Sequence, residues 1–221
     1  MISKRLKTIA DMIMKDEVVF DCGSDHALLP CFLLMNNISP KVYAGDLRIG
    51  PLRQAEYNVD RLNLTGKVIP VLSNGLEKMP EEVRVLTISG MGFHTVKEIL
   101  DNGNLENLKQ IIVQVNRNVD KLRQYIDDHN YTILDERVVN DGFYYEIVAF
   151  SPIKSTYKLN YQEIKYGPIL LKKRDREFLE YLFYRCRVLK EIYLKSNDSS
   201  LLEEIDEIEK IINNCMKKAA R

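Results

Sequence analysis

The sequence predicts an α/β fold: a largely parallel sheet with helices on both faces, followed by a C-terminal antiparallel helical hairpin of coiled-coil character. Three observations lead there. Short apolar runs alternate with amphipathic segments as far as residue 128, the pattern of a parallel sheet covered on both sides. Two β-rich runs then flank the turn pair Asp141-Gly142, which makes them an antiparallel hairpin. Finally, beyond Gly167-Pro168, apolar residues recur in two heptad-like stripes uninterrupted by Gly or Pro,.

The elements follow in order. Ile2, Leu6, Ile9 and Ile13 recur at helical spacing and predict a helix over 3–14,. Val18-Val19-Phe20 and Val42-Tyr43-Ala44 are short apolar runs that read as strands, with helices at 27–35 and 52–62 after them,. Strands at 68–72, 83–88 and 111–113 and helices at 95–100 and 119–128 continue the alternation. The closing hairpin takes 132–139 and 144–150. From Ser151-Pro152 to residue 162 the composition shifts to Tyr, Lys and Asn, a linker that divides a domain over 1–160 from an extension over 161–221,. In the extension, Leu179, Leu182, Cys186, Leu189 and Tyr193 form one stripe and Leu201, Ile205, Ile208, Ile212 and Cys215 the other. Ser196 to Ser200 supplies the turn and its N-cap candidates,.

A chain of 221 residues, 45% hydrophobic, buries one full core and a smaller appendage,. Its 32 basic and 32 acidic residues cancel, so a nucleic-acid surface must arise from local asymmetry. Such asymmetry exists: 171–190 holds seven Lys or Arg against three acids, and 198–209 holds six acids and no base. The two helices can pair through these charges, and the basic one can also face RNA. Cys22, Cys31, Cys186 and Cys215 show no CxxC spacing and only three histidines accompany them, so no metal site is expected and the thiols read as buried and reduced. Neither a secretory leader nor a bilayer-length apolar run is present,. The expected location is the cytoplasm, and the expected state a monomer.

Asp21-Cys22-Gly23-Ser24-Asp25-His26 lies where the first strand meets the next helix, the place at which doubly wound folds bind nucleotides,. Gly23 permits a tight turn and close ligand approach. Asp21 and Asp25, with Ser24 between them, suit a ligand carrying a sulfonium and an ammonium and would repel a pyrophosphate. Together with the absent GxGxxG, this opposes the NAD-dependent oxidoreductase that the spacing of Asp46 would otherwise allow. Asp and Ser at a helix start also serve simply as N-caps. Asp46, 23 residues after Gly23, followed by Leu47, stands where a carboxylate takes ribose hydroxyls,. Asn74-Gly75 follows the third strand, with an amide able to read an adenine edge; a bare Asn-Gly is equally a turn. Gly90-Met91-Gly92 follows the fourth strand, where glycines allow close approach of a flat base.

These motifs, with Leu29-Pro30, Gly50-Pro51-Leu52, Ala55, Tyr145-Glu146 and Tyr166-Gly167-Pro168, resemble the bacterial tRNA (adenine-22-N1)-methyltransferase family, over nearly the whole chain. The closing strand hairpin agrees, because class I methyltransferases insert an antiparallel strand that plain dinucleotide-binding folds usually lack. The resemblance implies a class I (Rossmann-like) methyltransferase sheet, S-adenosyl-L-methionine as donor, and methylation of N1 of an adenosine in the D-loop region of tRNA. Leu28, Asn74, Phe93 and Val115 depart from the family pattern. They motivate the competing reading, a non-catalytic RNA-binding or scaffold protein on the same fold.

Under the enzymatic reading His26, Met91 and Asn116 are the candidates to contact the target base, His26 being equally a loop or capping histidine. Arg5, Arg117, Arg123, Lys172, Lys173, Arg174 and Arg185 are candidates to meet RNA. Each taken alone is also an ordinary surface charge.

Overall fold

A computed structural model describes the backbone of residues 2–219 and side chains as far as residue 215. The chain divides into two compact units, Met1–Ile169 and Leu170–Arg221. In the first, α1 (Lys4–Ala10), β1 (Val19–Cys22), α2 (Leu28–Met35), β2 (Val42–Asp46), α3 (Ile49–Arg61) and β3 (Val68–Leu72) are followed by β4 (Val85–Met91), α4 (Phe93–Asn102), β5 (Gln110–Val115) and α5 (Val119–Asp128). The strands β6 (Tyr131–Asp141) and β7 (Phe143–Lys154) and the short α6 (Tyr161–Tyr166) complete it. The sheet has seven strands in the order β3-β2-β1-β4-β5-β7-β6. Strands β1 to β5 pair in parallel, and β7 is antiparallel to both β5 and β6.

Strand parity sorts the side chains into two cores, because successive residues point to opposite faces. Val19, Ile112, Ile147 and Ala149 pack with Ile9 of α1, Leu29 and Leu33 of α2 and Val59 of α3. Phe20, Val113, Val148 and Phe150 pack on the other face with Val96 and Leu100 of α4 and Leu122 and Ile126 of α5. The chain runs from β1 outward to β3 and then returns to β4 on the other side of β1. A crevice therefore opens at the carboxyl ends of β1 and β4, where doubly wound sheets bind ligands.

Element boundaries differ from the sequence reading for local reasons. The first helix stops at Ala10 because the turn after it is held by a side chain: Gln110 Nε2 donates to the Met12 carbonyl and its Oε1 accepts from Met14 N–H, both at 2.8 Å. Helix α3 begins earlier, at Ile49, and carries Pro51 in its first turn, where the missing N–H would have had no helical partner. Strand β4 runs on to Met91 through a bulge. Strand β7 continues through Pro152 to Lys154, past Phe150, its last residue paired with β5, so Pro152 breaks no ladder there. Residues 161–166, assigned from sequence to linker and extension, are helix and belong to the first unit. The missed signal was a capping box, in which Asn160 Oδ1 accepts from Glu163 N–H at 3.0 Å and Glu163 Oε2 accepts from Asn160 N–H at 2.9 Å,.

Arg123 explains why α6 is anchored there. Its side chain is 0% exposed, with Nε 2.6 Å from Glu136 Oε1 and Nη2 2.6 Å from Glu146 Oε2. Nη1 reaches the Ile164 and Lys165 carbonyls at 3.4 Å, and Glu136 Oε2 accepts from Ile169 N–H at 2.8 Å. Burial opposes the guanidinium charge, but Glu146 and Glu136 outweigh it and hold Arg123 more firmly protonated than a free arginine,. Gly167 is required twice over: its φ is +88°, and a Cβ would sit 2.6 Å from both Glu136 carboxylate oxygens,.

Helix α7 (Pro168–Lys173) leads into the second unit, where α8 (Arg176–Ser196) and α9 (Ser200–Ala219) pack on one another across Asn197–Ser199. Phe178, Leu182 and Cys186 of α8 and Ile205, Ile208, Ile211, Ile212 and Cys215 of α9 are buried. Asp175 caps α8 by accepting from Phe178 N–H at 3.0 Å,. Part of the charge asymmetry is satisfied internally: Arg185 meets Glu204 at 2.6 Å and Lys190 meets Glu209 at 2.5 Å. Among the described residues no helix is long and apolar enough to cross a membrane, and no cluster of three His, Cys, Asp or Glu is placed to hold a metal. All four cysteines are free and buried.

Candidate active site

A cavity of about 530 Å³ occupies the crevice at the carboxyl edge of the sheet, within the size range of cofactor sites. Gly23, Asp25, Asp46, Leu47, Asn74, Gly75, Gly90 and Met91 all border it, so residues spread over 69 positions of sequence (23 to 91) converge in one place. Gly23 adopts φ +75°, and a Cβ there would collide with the Met91 methyl group. That collision shows how closely the loops after β1 and β4 approach.

Asp46 is 7% exposed at the end of β2. Its Oδ1 accepts from Arg48 N–H at 2.8 Å and its Oδ2 from Asp25 N–H at 3.2 Å. Two backbone donors fix the carboxylate without exhausting it, since its oxygens offer about four acceptor positions. Asn74 gives its amide donor to Glu77 at 2.9 Å, which leaves the carbonyl oxygen as the group suited to an adenine amine. Of the charged residues on the wall, Asp25, Asp46, Glu77 and Glu98 face a single cation, Arg48. The donor set fits a ligand bearing a sulfonium and an ammonium and disfavours a pyrophosphate.

Other expected residues lie elsewhere. Asp21 does not border the cavity: it is 4% exposed in β1, and its Oδ1 accepts from the Thr87 hydroxyl at 2.6 Å. Burial raises its pKa, against the opposing effect of the Thr87 hydrogen bond. Because folding raises that pKa, Asp21 contributes most to stability when protonated, and the contribution is lost as pH rises through the folded-state value. Asp21→Asn is therefore expected to raise the thermal midpoint at pH 7, with the advantage vanishing once the pH falls below the unfolded value of 3.8. Calorimetric scans across pH check it; a mutant less stable at neutral than at acid pH, relative to wild type, would contradict it. Cys22, beside Asp21, has its thiol pushed up to about 12 by burial and then by the Asp21 and Asp46 carboxylates, so it is no nucleophile at neutral pH.

Ser24 donates its backbone N–H to Gly45 at 2.9 Å. The His26 ring is half exposed, 3.5 Å from Asp25, while its carbonyl accepts from Asn58 at 2.9 Å; it stands outside the cavity wall. Gly92 caps α4 with φ −75° and open space around it, so nothing local demands glycine there. Asn116 is likewise outside the cavity wall but is bonded to two residues that border it, its Nδ2 donating to the Gly90 carbonyl at 2.8 Å and its N–H to the Met91 carbonyl at 2.9 Å.

The expected RNA-facing cations separate into three groups. Arg117, Lys172 and Lys173 are exposed. Arg5, Arg174 and Arg185 are half-buried, Arg5 lying over the Tyr145 ring at 5.0 Å, Arg174 Nε donating to the Leu171 carbonyl at 2.7 Å and Arg185 paired with Glu204. Arg123 is removed from the group: a fully buried guanidinium clamped by two glutamates has no surface to offer a phosphate. Sequence reasoning missed Gln114, which is 0% exposed and contacts Arg5, Gly90 and Asn116. Its signal was its place in Gln114-Val115-Asn116, where the family pattern carries Gln-Pro-Asn.

Comparison with known proteins agrees with this geometry. Residues 19–218 match the family model described as tRNA (adenine(22)-N(1))-methyltransferase. The Bacillus subtilis protein of that name is 30% identical over 189 residues, 81% of this chain and 79% of its own length. A Streptococcus pneumoniae protein solved in complex with S-adenosyl-L-methionine is 30% identical over 96% of this chain and 100% of that one, with a TM-score of 0.86. M. capricolum TrmK, solved with S-adenosyl-homocysteine, is 32% identical over 99% of this chain and 97% of that one, with a TM-score of 0.78. With the match running through almost every element, from β1 into α9, the chain belongs to the tRNA (adenine(22)-N(1))-methyltransferase family.

Proposed function

We propose that this chain transfers a methyl group from S-adenosyl-L-methionine to N1 of adenosine 22 in tRNA. The observation that carries the reading is the acidic, glycine-walled cavity at the carboxyl edge of β1, β2 and β4 in a member of this family. When bound, S-adenosyl-L-methionine supplies an electrophilic methyl group. Asp46 takes the ribose hydroxyls, the Asn74 carbonyl the adenine amine, and Gly23 the close passage of the donor's tail. The first unit is thus the donor-binding domain. The target base enters over Gly90 and Met91, with Asn116 at the rim and His26 on the neighbouring loop.

N1 of adenine is a neutral ring nitrogen with an in-plane lone pair, so no residue need remove a proton before attack. The chain's task is to bring that lone pair into line and exclude water. Base pairing hides the N1 edge, so the target nucleotide must be turned out of its stack. Arg5 and Arg117 on the first unit, and Lys172, Lys173, Arg174 and Arg185 on the second, supply the phosphate contacts that hold tRNA during this opening. The helical extension accordingly serves substrate binding. Four buried free thiols support a reducing cytoplasm,.

The expected product is 1-methyladenosine at one D-loop position and not N6-methyladenosine. Gly90-Met91-Gly92 stands where many exocyclic-amine methyltransferases carry an Asn or Asp before Pro-Pro and an aromatic residue. Mass spectrometry of digested tRNA, with chromatographic standards for both isomers, checks the product. Co-elution with N6-methyladenosine, or full methylation of a transcript with that adenosine replaced by guanosine, would sink the reading.

A further inference from the structure

Gln114 is a carboxamide buried at 0% exposure in the middle of the sheet, a placement that costs stability unless every polar atom is used. The fourth strand explains what it satisfies. Pairing of β4 with β5 shifts register between Ser89 and Met91, so Gly90 bulges out with φ +79°. A bulged residue drops out of the ladder, and here the Gly90 N–H donates instead to Gln114 Oε1 at 3.1 Å. The same oxygen accepts from Arg5 Nη1 at 3.1 Å. On the other side of the amide, Gln114 Nε2 donates to Asn116 Oδ1 at 3.3 Å, and Asn116 Nδ2 returns to the Gly90 carbonyl at 2.8 Å. Two donors meeting one atom and an acceptor meeting the other leave a single amide orientation consistent with the network.

The result is a closed ring of bonds that holds Gly90 at the border of the cavity. Arg5, 109 positions earlier in the chain, is drawn to this rim: its Nη1 lies 3.9 Å from where a Gly90 Cβ would stand, and its guanidinium covers the Tyr145 ring at 5.0 Å. Helix α1 is fastened nearby by Asp141, whose Oδ2 accepts from Arg5 N–H at 3.1 Å. A guanidinium has five N–H donors, of which the network uses one on Gln114. A cation fixed beside Gly90, next to a cavity walled by carboxylates but outside its lining, is suited to an anionic group of the incoming nucleotide and not to the donor.

Resting on the methyltransferase reading, we propose that Gln114 is a positioning residue for the substrate. It acts through Arg5, which it holds against Gly90 to receive a phosphate of the target nucleotide, and through Asn116 at the same rim. Gln114 itself touches neither reactant. Lysine in place of Arg5 is expected to be a poor substitute, because it lacks a fork able to serve Gln114 and a phosphate together.

The test is a double-mutant cycle on the full chain with Arg5→Ala and Gln114→Met. Measured quantities are S-adenosyl-homocysteine affinity by calorimetry, tRNA affinity as a function of salt, single-turnover methylation and thermal midpoint. Each single variant is expected to keep S-adenosyl-homocysteine affinity within about twofold and to lower methylation of sub-saturating tRNA roughly tenfold. The double variant should be no worse than the poorer single one, since residues acting as one unit are non-additive. Both single variants should flatten the salt dependence of tRNA binding by about the slope of one phosphate contact, roughly 0.7. Gln114→Glu, which retains the acceptor for Arg5 and Gly90, should restore that slope.

Additive losses, an unchanged salt slope, or cofactor affinity falling in step with turnover would overturn the proposal. Should Gln114→Met fail to fold, Gln114→Asn, whose amide is one methylene shorter and is withdrawn from Arg5, completes the cycle with Arg5→Ala. The salt slope and cofactor affinity need no turnover, so a wild-type chain that made no 1-methyladenosine would defeat the functional reading while these measurements still judged the positioning role.

Discussion

Arg123→Met is expected to destabilise the first unit by about 3–5 kcal/mol, the usual cost of removing one partner from a buried ion pair. The side chain is replaced by one of similar length, so the loss comes less from a cavity than from what remains. Glu136 at 0% and Glu146 at 9% exposure would each lose the Arg123 guanidinium, and the Ile164 and Lys165 carbonyls would lose its Nη1. Chemical denaturation reads the effect as a lower midpoint at unchanged slope. Replacing both glutamates as well, with apolar residues, should recover much of the loss, because the penalty lies in uncompensated charge. A fully stable Arg123→Met that failed only in tRNA binding would mean that the residue faces RNA after all.

Asp46→Ala is expected to weaken S-adenosyl-homocysteine binding by about 1.5–3 kcal/mol, or on the order of 10- to 150-fold, from loss of a charged acceptor to two hydroxyls. The substitution also frees the N–H groups of Asp25 and Arg48, so the loop after β1 loses an anchor at the moment the ligand loses a partner. Asp46→Asn, with one acceptor oxygen in place of two, should fall between the two. Isothermal calorimetry on variants with native circular dichroism decides the matter. An unchanged dissociation constant would place Asp46 outside the site.

Features written in local pattern were legible in the sequence. The alternation that ends at Asp128 marked every strand of the sheet's parallel half, and Asp141-Gly142 marked its antiparallel closure, because burial on a sheet or a helix imposes its period on neighbouring residues. Gly23, Asp46, Asn74 and Gly90 were found because turn chemistry and strand-end position are local, and doubly wound topology brings strand ends together. The same logic failed at Asp21, one residue inside β1, where strand parity turned the side chain toward Thr87.

Arg123 and Gln114 show what lay beyond reach. Arg123 stood in a helical run among other charges and read as a surface cation; only the packing of β6, β7 and α6 around it placed Glu136 and Glu146 within 2.6 Å. Gln114 was no candidate in the sequence, yet it joins Arg5 and Gly90 across 109 and 24 positions. The sequence by itself determined the class of fold, the family and most of the expected residues that border the cavity, since each depends on periodicity or on motifs a few residues long. Tertiary structure alone decided which charges are buried and which polar side chains hold the Gly90 bulge, because the free energy of a buried charge or amide depends on partners that are distant in sequence and adjacent only in the folded chain,.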